Sequence, residues 1–181
     1  MFLNTPRLNR PMSELKNQEC PFCSEKKCTL QEEELDIPYF GRVFVLSMDC
    51  AACGTRKSDV EPAERKDPCK YTLEVESEED LSIKVVKSGE ATLKIPHIIT
   101  VESGPASDGY VTNVEGVLER VKAVIQSSLN AEDDDGAKEK ARNLIKKLNR
   151  ALVGREKIKI ILEDPSGNSA IISDKAQKSK M

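Results

Sequence analysis

Six cysteines carry the clearest chemical signal in this sequence of 181 residues. Four of them form two C-x-x-C pairs, Cys20–Cys23 and Cys50–Cys53, with 26 residues between the pairs. Zn²⁺ in structural sites takes four ligands in a tetrahedron, and each C-x-x-C turn presents two sulfurs to one ion. Two such turns complete the shell and leave no position for water or substrate. The spacing therefore predicts one structural zinc bound by Cys20, Cys23, Cys50 and Cys53.

Cys28 and Cys69 stand outside the two pairs. Free cysteine behaves as a small apolar side chain, which favours burial in a core for both. Because Cys28 lies between the two pairs, the alternative to core burial for this residue is a role as a substitute zinc ligand. The first 18 residues contain no apolar core of a signal peptide, which favours a reducing, cytoplasmic compartment and a metal site before disulfides.

The sequence contains few other residues of the types that do chemistry. His97 is the single histidine, and one histidine cannot build a His₃ or His₂-carboxylate metal centre. No Walker A, G-x-G-x-x-G, G-x-S-x-G or H-E-x-x-H motif is present. The single histidine therefore argues against a metal-dependent enzyme.

Two further groups of residues have open interpretations. Tyr39 and Phe40 follow Ile37-Pro38 between the cysteine pairs, and they are either an exposed recognition element or part of the core of the finger. Cations recur every four residues at Lys138, Arg142, Lys146 and Arg150. This stripe is either the solvated face of a helix or a surface for an acidic protein or RNA, although no aromatic residues interleave with it.

The elements that position these residues follow from periodicity. Val43–Leu46 predicts a strand that enters the second cysteine pair. Strand patterns recur over 71–75, 81–87, 91–101, 157–162 and 168–173, and Asp164–Gly167 matches a type I turn. Apolar residues at helical spacing predict a helical hairpin over about 113–153, opened by a capping box at Thr112 and Glu115 and stopped at Gly154. The order of strands, helices and strands indicates an α+β chain.

Composition divides the chain into five parts. We expect a flexible N-terminus over 1–17, a zinc finger over 18–61, a linker over 62–68, a β domain over 69–173 and a disordered Lys-rich tail over 174–181. The net charge is −3, so the chain has no basic excess that favours nucleic acid. No apolar run approaches the length that spans a bilayer, so we expect no membrane partner.

Three motifs together resemble those of the ZPR-type zinc-finger family. The first is the finger, in which the two C-x-x-C pairs flank Ile37-Pro38-Tyr39-Phe40. The second is Val111–Leu118, similar to the family's T-x-EG helix start, and the third is Glu163–Ser169, similar to its DPxGNS motif. The resemblance covers about residues 20–173 and keeps the family's motif order. One module is present, as in archaeal-type members.

The resemblance implies a fold, a function and contact residues. The implied fold is a zinc finger followed by a jelly-roll-like (double-stranded β-helix) domain with an inserted helical hairpin. The implied function is non-enzymatic binding of translation elongation factor 1-alpha and assistance to its folding, with an RNA- or ribosome-binding zinc ribbon as the alternative. The expected partner-binding or pocket-shaping residues are Tyr39, Phe40, Thr112, Glu115, Gly116, Asp164, Asn168 and Ser169. For Asp164–Ser169 the alternative is a well-formed hairpin turn.

Overall fold

The computed structural model describes residues 13–37, 41–63, 66–104 and 107–181. In these ranges the chain forms twelve strands, two α-helices and a short 3₁₀ helix, Glu79–Ser82. The first strands are β1 Ser13–Gln18, β2 Cys28–Ile37, β3 Gly41–Cys50, β4 Arg56–Pro62, β5 Cys69–Val75 and β6 Lys84–Lys87. They are followed by β7 Thr92–Ile95, β8 Ile99–Val101, β9 Tyr110–Asn113, α1 Val114–Ala131, α2 Asp135–Ala151, β10 Ile158–Asp164, β11 Ala170–Ile172 and β12 Gln177–Lys180.

The finger is a four-stranded antiparallel sheet in the order β1-β2-β3-β4. The strand predicted at Val43–Leu46 is confirmed and belongs to the ten-residue strand β3. The N-terminus was expected to be flexible over 1–17. The structure differs from this expectation from residue 13 onward, because Ser13–Gln18 forms β1 and pairs with β2. Its sequence is mostly polar, so the strand depends on a sheet edge to which it can add. Leu15 lies opposite Leu30 across this pair.

The second part is built from two antiparallel sheets that share a core with the helices. One sheet has the order β12-β5-β10-β7-β8 and the other has the order β11-β6-β9. The core takes Leu73 and Ile160 from the first sheet, Val85 from the second, and Leu118 and Leu148 from the two helices. All five side chains are buried, so this cluster holds the jelly roll together.

The helical hairpin is confirmed as α1 and α2, inserted between β9 and β10. The predicted capping box is wrong in detail, because Thr112 belongs to strand β9 and the N-cap of α1 is Asn113. The Asn113 side chain accepts a hydrogen bond from the backbone N of Gly116 at 2.9 Å. Asparagine caps a helix as well as threonine does, so local sequence preference did not distinguish the two neighbouring positions.

Two predicted strands differ from the structure. In the segment 81–87 only Lys84–Lys87 is a strand, and its first residues belong to the 3₁₀ helix. The segment 91–101 is a hairpin of β7 and β8 that turns at Pro96 and His97. His97 has φ of +61°, and Ile98 N donates to Ile95 O at 3.0 Å. Proline cannot donate to a ladder, so the turn at Pro96 divides the run into two strands.

The expected disordered tail is corrected by the strand β12, Gln177–Lys180. It pairs antiparallel with β5, from Gln177 opposite Thr72 to Lys180 opposite Cys69. All four of its residues are exposed, and its sequence has no apolar face. Backbone pairing to the edge of β5 therefore orders a segment whose composition predicts disorder.

The finger and the jelly roll meet at strand β4. Gly109 N donates to Ser58 O at 2.8 Å, and the Ser58 hydroxyl donates to Gly109 O at 2.6 Å. Gly89 N donates to the Asp59 carboxylate at 3.0 Å. A small core spans the same junction and contains Ile37, Val43 and Val60 of the finger with Val86 of the jelly roll. The two parts are thus joined by hydrogen bonds of the backbone and of the Ser58 and Asp59 side chains, and by a shared core.

Candidate functional site

The two C-x-x-C turns have nearly the same backbone geometry. In the first, Ser24 N donates to Cys20 O at 2.8 Å; in the second, Gly54 N donates to Cys50 O at 2.9 Å. The residue after each pair has a left-handed backbone, with φ of +58° at Ser24 and +72° at Gly54. Glycine takes this conformation without steric cost, whereas Ser24 takes it against the preference of an L-residue. Both turns therefore use a left-handed residue directly after the second cysteine.

The four thiols converge on one point between the turns. The sulfurs of Cys20 and Cys53 are 3.8 Å apart, those of Cys23 and Cys50 are 3.7 Å apart, and all four lie within 4.8 Å of one another. In a tetrahedron with Zn–S bonds of about 2.3 Å, neighbouring sulfurs lie about 3.8 Å apart. The donor set and its spacing fit one structural zinc, which cross-links the two turns when bound.

Burial and hydrogen bonding differ among the thiols of the zinc site. Cys20 and Cys50 are buried, whereas Cys53 is exposed. The Thr55 hydroxyl lies 3.2 Å from the Cys53 sulfur. Hydrogen bonds to Thr55, first to its side chain and second to its backbone, lower the pKa of the Cys53 thiol to about 6. This environment favours the thiolate that a metal requires.

The two remaining cysteines are both buried. Cys28 packs against Cys20 and Cys50, and burial raises the pKa of its thiol. It is not among the four sulfurs that converge, so its position fits a core residue and not a ligand. Cys69 lies in the jelly roll, where its thiol is 3.4 Å from Ser169 O.

Apolar side chains cover one face of the finger sheet beside the zinc site. Leu15, Leu30 and Met48 lie directly opposite one another on β1, β2 and β3, so they form one row on the same face. Leu46 is two residues from Met48 on β3 and shares that face. Phe22 comes from the first C-x-x-C turn. We call these five residues the finger surface; they line an open cavity of about 630 Å³.

The finger surface was not singled out from the sequence. Leu15, Phe22, Leu30 and Leu46 are 55, 57, 37 and 38% exposed. They come from four separate segments, and a single leucine in a strand carries no sign of which face is solvated. Strand alternation across β1–β3 would have grouped three of them if β1 and β2 had been recognised.

The residues Thr112, Glu115 and Gly116 lie around the junction of strand β9 and helix α1. A Cβ at Gly116 would lie 2.1 Å from the Thr112 hydroxyl oxygen, so this position requires glycine. Glu115 is exposed, and Thr112 and Gly116 are half-buried. The geometry accounts for Gly116 by packing and leaves Glu115 accessible to a partner.

Asp164 and Ser169 were expected to contact a partner. They are 0 and 1% exposed, so their side chains are buried and do not form a contact surface. The Asp164 carboxylate accepts hydrogen bonds from the hydroxyls of Ser88, Ser166 and Ser169 at 2.9, 2.6 and 2.5 Å. Gly167 N donates to Asp164 O at 3.2 Å, as the predicted turn requires. The motif therefore forms a buried network that links β10 to the β6–β7 turn. Asn168, with Pro165 and Ser166 of the same motif, lines an open polar cavity.

The structure describes one of the two remaining candidates from the sequence, the cationic stripe, and not the other, the aromatic pair. Tyr39 and Phe40 lie outside the described residues, so their role stays a prediction. The cationic stripe lies on α2, where Arg142, Lys146 and Arg150 are exposed. Arg150 forms an ion pair with Glu156 at 3.5 Å, and Lys138 donates to Asp133 O.

Fold and site together define a zinc-finger protein with a structural metal site and a jelly roll as its larger part. Residues 14–68 match the ZPR1 zinc-finger domain, and residues 79–181 match the ZPR1 jelly-roll domain. The chain belongs to the ZPR1 family, which confirms the resemblance and the fold expected from it.

Relatives in archaea and eukaryotes support this assignment. The chain is 39% identical over 165 residues to a ZPR1-like protein of Methanocaldococcus jannaschii, a match that covers 90% of this chain and 83% of that protein. It is 36% identical over 176 residues to a ZPR1-like protein of Pyrococcus horikoshii, covering 94% of this chain and 78% of the relative. The zinc finger chaperone zpr1 of Schizosaccharomyces pombe is 32% identical over 156 residues, covering 83% of this chain and 34% of that protein.

The expectation of no membrane partner can be compared with one structural property, the length and apolar character of the helices. Neither helix in the described part of the chain combines the length and the apolar character needed to cross a bilayer.

Proposed function

We propose that this protein binds the homologue of translation elongation factor 1-alpha and assists its folding, with the finger surface as the main contact. The exposed apolar face beside the zinc site is the observation that carries this proposal. The name of the S. pombe relative, a zinc finger chaperone, supports a role in protein folding.

The physical argument concerns apolar area that remains in water. Contiguous apolar patches on a soluble protein mark interaction sites, because their burial in a complex is favourable. On the finger surface, Lys57 lies 5.2 Å from the centre of the Phe22 ring, so a cation borders the apolar area. An apolar centre with a polar border is typical of a protein interface.

The second part of the argument is rigidity. The zinc site fixes the turn that carries Phe22, and the β1–β3 ladder fixes Leu15, Leu30 and Leu46. A surface that is ordered before binding loses little conformational entropy in the complex. It can therefore hold an apolar segment of a client that has not finished folding.

The test is a binding titration of the zinc-loaded protein against the elongation factor homologue from the same source. The factor is supplied in the GDP-bound, GTP-bound and nucleotide-free states. We expect saturable binding that differs among the three states, as a factor that acts on one stage of folding requires. Equal binding to unrelated unfolded proteins would contradict a specific client.

A paired variant separates the finger surface from the rest of the chain. We expect the double substitution Leu30→Gln and Leu46→Gln to weaken binding by at least about tenfold, because two partly exposed leucines lose apolar contact. The control is Val153→Gln, since Val153 is 52% exposed and lies after α2. Zinc content and melting temperature should match the wild type in all variants. Full affinity in the double variant would exclude the finger surface as the contact.

The alternative function predicts a different outcome of the same series. If no state of the factor binds well above micromolar concentration, an RNA- or ribosome-binding role takes precedence. That role predicts binding that weakens with salt and is lost when Arg142 and Lys146 are changed to glutamate.

A further inference from the structure

Another cavity lies where β6, β7, β8 and β9 meet helix α1. Its volume is about 240 Å³, and it has an apolar wall that includes Leu93 and Val121. Lys87, Tyr110 and Arg120 also line it, and we call these three residues the cation pocket. The sequence analysis did not group them, because they come from β6, β9 and α1.

The Tyr110 ring brings the two cations of the pocket together. The Lys87 ammonium lies 5.6 Å from the ring centre, and the Arg120 guanidinium lies 4.5 Å from it. Both distances are within the range of cation–π contacts. Burial raises the pKa of Tyr110 to about 12 although Arg120 opposes the shift, so the phenol adds no negative charge near neutral pH.

The two cations differ in how their charges are compensated. Lys87 is buried and donates to two backbone carbonyls, Ser88 O at 2.9 Å and Asp108 O at 3.3 Å. Burial lowers the pKa of Lys87, and the carboxylates of Asp164, Asp108 and Asp59 oppose this shift.

Arg120 is exposed, and its guanidinium lies over the Tyr110 ring. The described residues include no ion-pair partner for it. The Asp108 carboxylate accepts from Ser58 N at 3.3 Å and so faces the finger. The pocket therefore has a guanidinium with free donors above an aromatic ring, beside apolar side chains. This arrangement fits a carboxylate that is attached to a short apolar stem.

The cation pocket is continuous with the finger surface. Ser107 lines both the finger cavity and the cation pocket, and Asp108 lines the pocket from the same loop. Ser58 lines the finger cavity and is hydrogen-bonded to Asp108 and Gly109. A partner that covers the finger surface can therefore reach Arg120 without crossing another element.

We propose that the cation pocket binds the carboxylate of an aspartate or glutamate side chain of the partner protein that covers the finger surface. This inference rests on the proposed function for the identity of the partner. The binding chemistry itself rests on Arg120, Tyr110 and the apolar wall. The carboxylate accepts hydrogen bonds from the Arg120 guanidinium, while the charge of Lys87 is already compensated by nearby carboxylates.

The first experiment tests the pocket without any client. The zinc-loaded full chain is titrated with N-acetyl-glutamate N-methylamide and, separately, with the glutamine equivalent, while NMR follows the Arg120 side-chain NH and the Tyr110 ring. We expect saturable shifts with the glutamate probe and not with the glutamine probe. The shifts should disappear in Arg120→Gln and persist in Arg142→Gln, a matched loss of charge on α2. Equal shifts with both probes would overturn the inference.

The second experiment uses the elongation factor homologue and the same two variants. We expect Arg120→Gln to weaken binding by about tenfold, because one charge-assisted pair is lost, and Arg142→Gln to bind as the wild type does. Equal affinity of wild type and Arg120→Gln would overturn the inference and leave the proposed function standing. If the wild type binds no elongation factor, the proposed function is wrong, and the peptide titration still decides whether the pocket binds carboxylate.

Discussion

The cysteines of the finger show how position outweighs residue type at the scale of single residues. Cys28 is as fully buried as Cys20 and Cys50 and packs against both of them. It begins strand β2 opposite Cys50, so its place is set by the ladder and not by a C-x-x-C turn. The turns direct the sulfurs of the other four cysteines to one point, and Cys28 lies outside that group.

Loss of one ligand tests this assignment. We expect Cys50→Ser to lower bound zinc from one toward zero per chain, because a neutral hydroxyl is a poor ligand in a thiolate site. Zinc release on thiol modification, measured with a colorimetric chelator, gives the stoichiometry. The matched control is Cys28→Ala, which should retain one zinc. Zinc loss in the control with full retention in Cys50→Ser would assign the ligand role to Cys28.

Strand β12 shows, at the scale of elements, that pairing can order a polar segment. Besides its ladder with β5, the segment is anchored by Lys175, whose ammonium donates to Asp80 at 2.6 Å. Asp80 is 3% exposed and also accepts from the backbone N of Glu76 and Ser77. Burial opposes ionisation of Asp80, but the hydrogen bonds from Lys175 and this backbone outweigh it and lower the pKa of the carboxyl. The C-terminal segment thus neutralises a buried charge.

A truncation measures the contribution of this segment. We expect a chain that ends at Ser173 to lose about 2–4 kcal/mol of unfolding free energy, because the ladder is lost and Asp80 keeps a buried charge without its cation. Urea denaturation of the zinc-loaded protein gives the value. The control is the double substitution Lys178→Ala and Lys180→Ala, which preserves the backbone ladder and Lys175. Unchanged stability of the truncated chain would restore the expectation of a disordered tail.

The whole molecule depends on the junction between the finger and the jelly roll. Gly109 packs so closely on β4 that a Cβ there would lie 2.6 Å from Val60 N and 2.7 Å from the Asp59 carboxylate. Gly167 has the same role on the other side, since a Cβ would lie 2.3 Å from Asp67 O. Glycine at these two positions allows the finger and the segment that follows it to approach the jelly roll.

A single methyl group tests whether the two parts unfold together. We expect Gly109→Ala to reduce the unfolding free energy by roughly 2 kcal/mol or more, because β4 must move away from the jelly roll. Thermal denaturation of the zinc-loaded protein should show a lower midpoint and a broader or divided transition. Gly104→Ala is the matched control, since a Cβ at Gly104 meets no atom of the described residues within 4 Å. Equal stability of both variants would show that the junction does not hold the two parts together.

Local signals were sufficient for some elements and misleading for others. The zinc ligands and the helical hairpin were predictable, because C-x-x-C spacing and a helical period are contained in short segments. The N-cap was predicted one residue early, since Thr112 and Asn113 are both good caps and the strand β9 extends to Asn113. Asp164 was expected to contact a partner, but its carboxylate is buried by hydrogen bonds from Ser166 and Ser169 of its own turn and from the distant Ser88.

The zinc site, the helical hairpin and the β-rich remainder could be predicted from the amino-acid sequence, because neighbouring residues carry that information. Which side chains share a surface became known only from the folded chain. Leu15 and Leu30 meet because strand register places them opposite each other, and the first C-x-x-C turn adds Phe22 to the same cavity. Lys87 meets Arg120 across Tyr110 because α1 packs on the sheet. Such groupings depend on contacts between residues far apart in the chain, which no local pattern encodes.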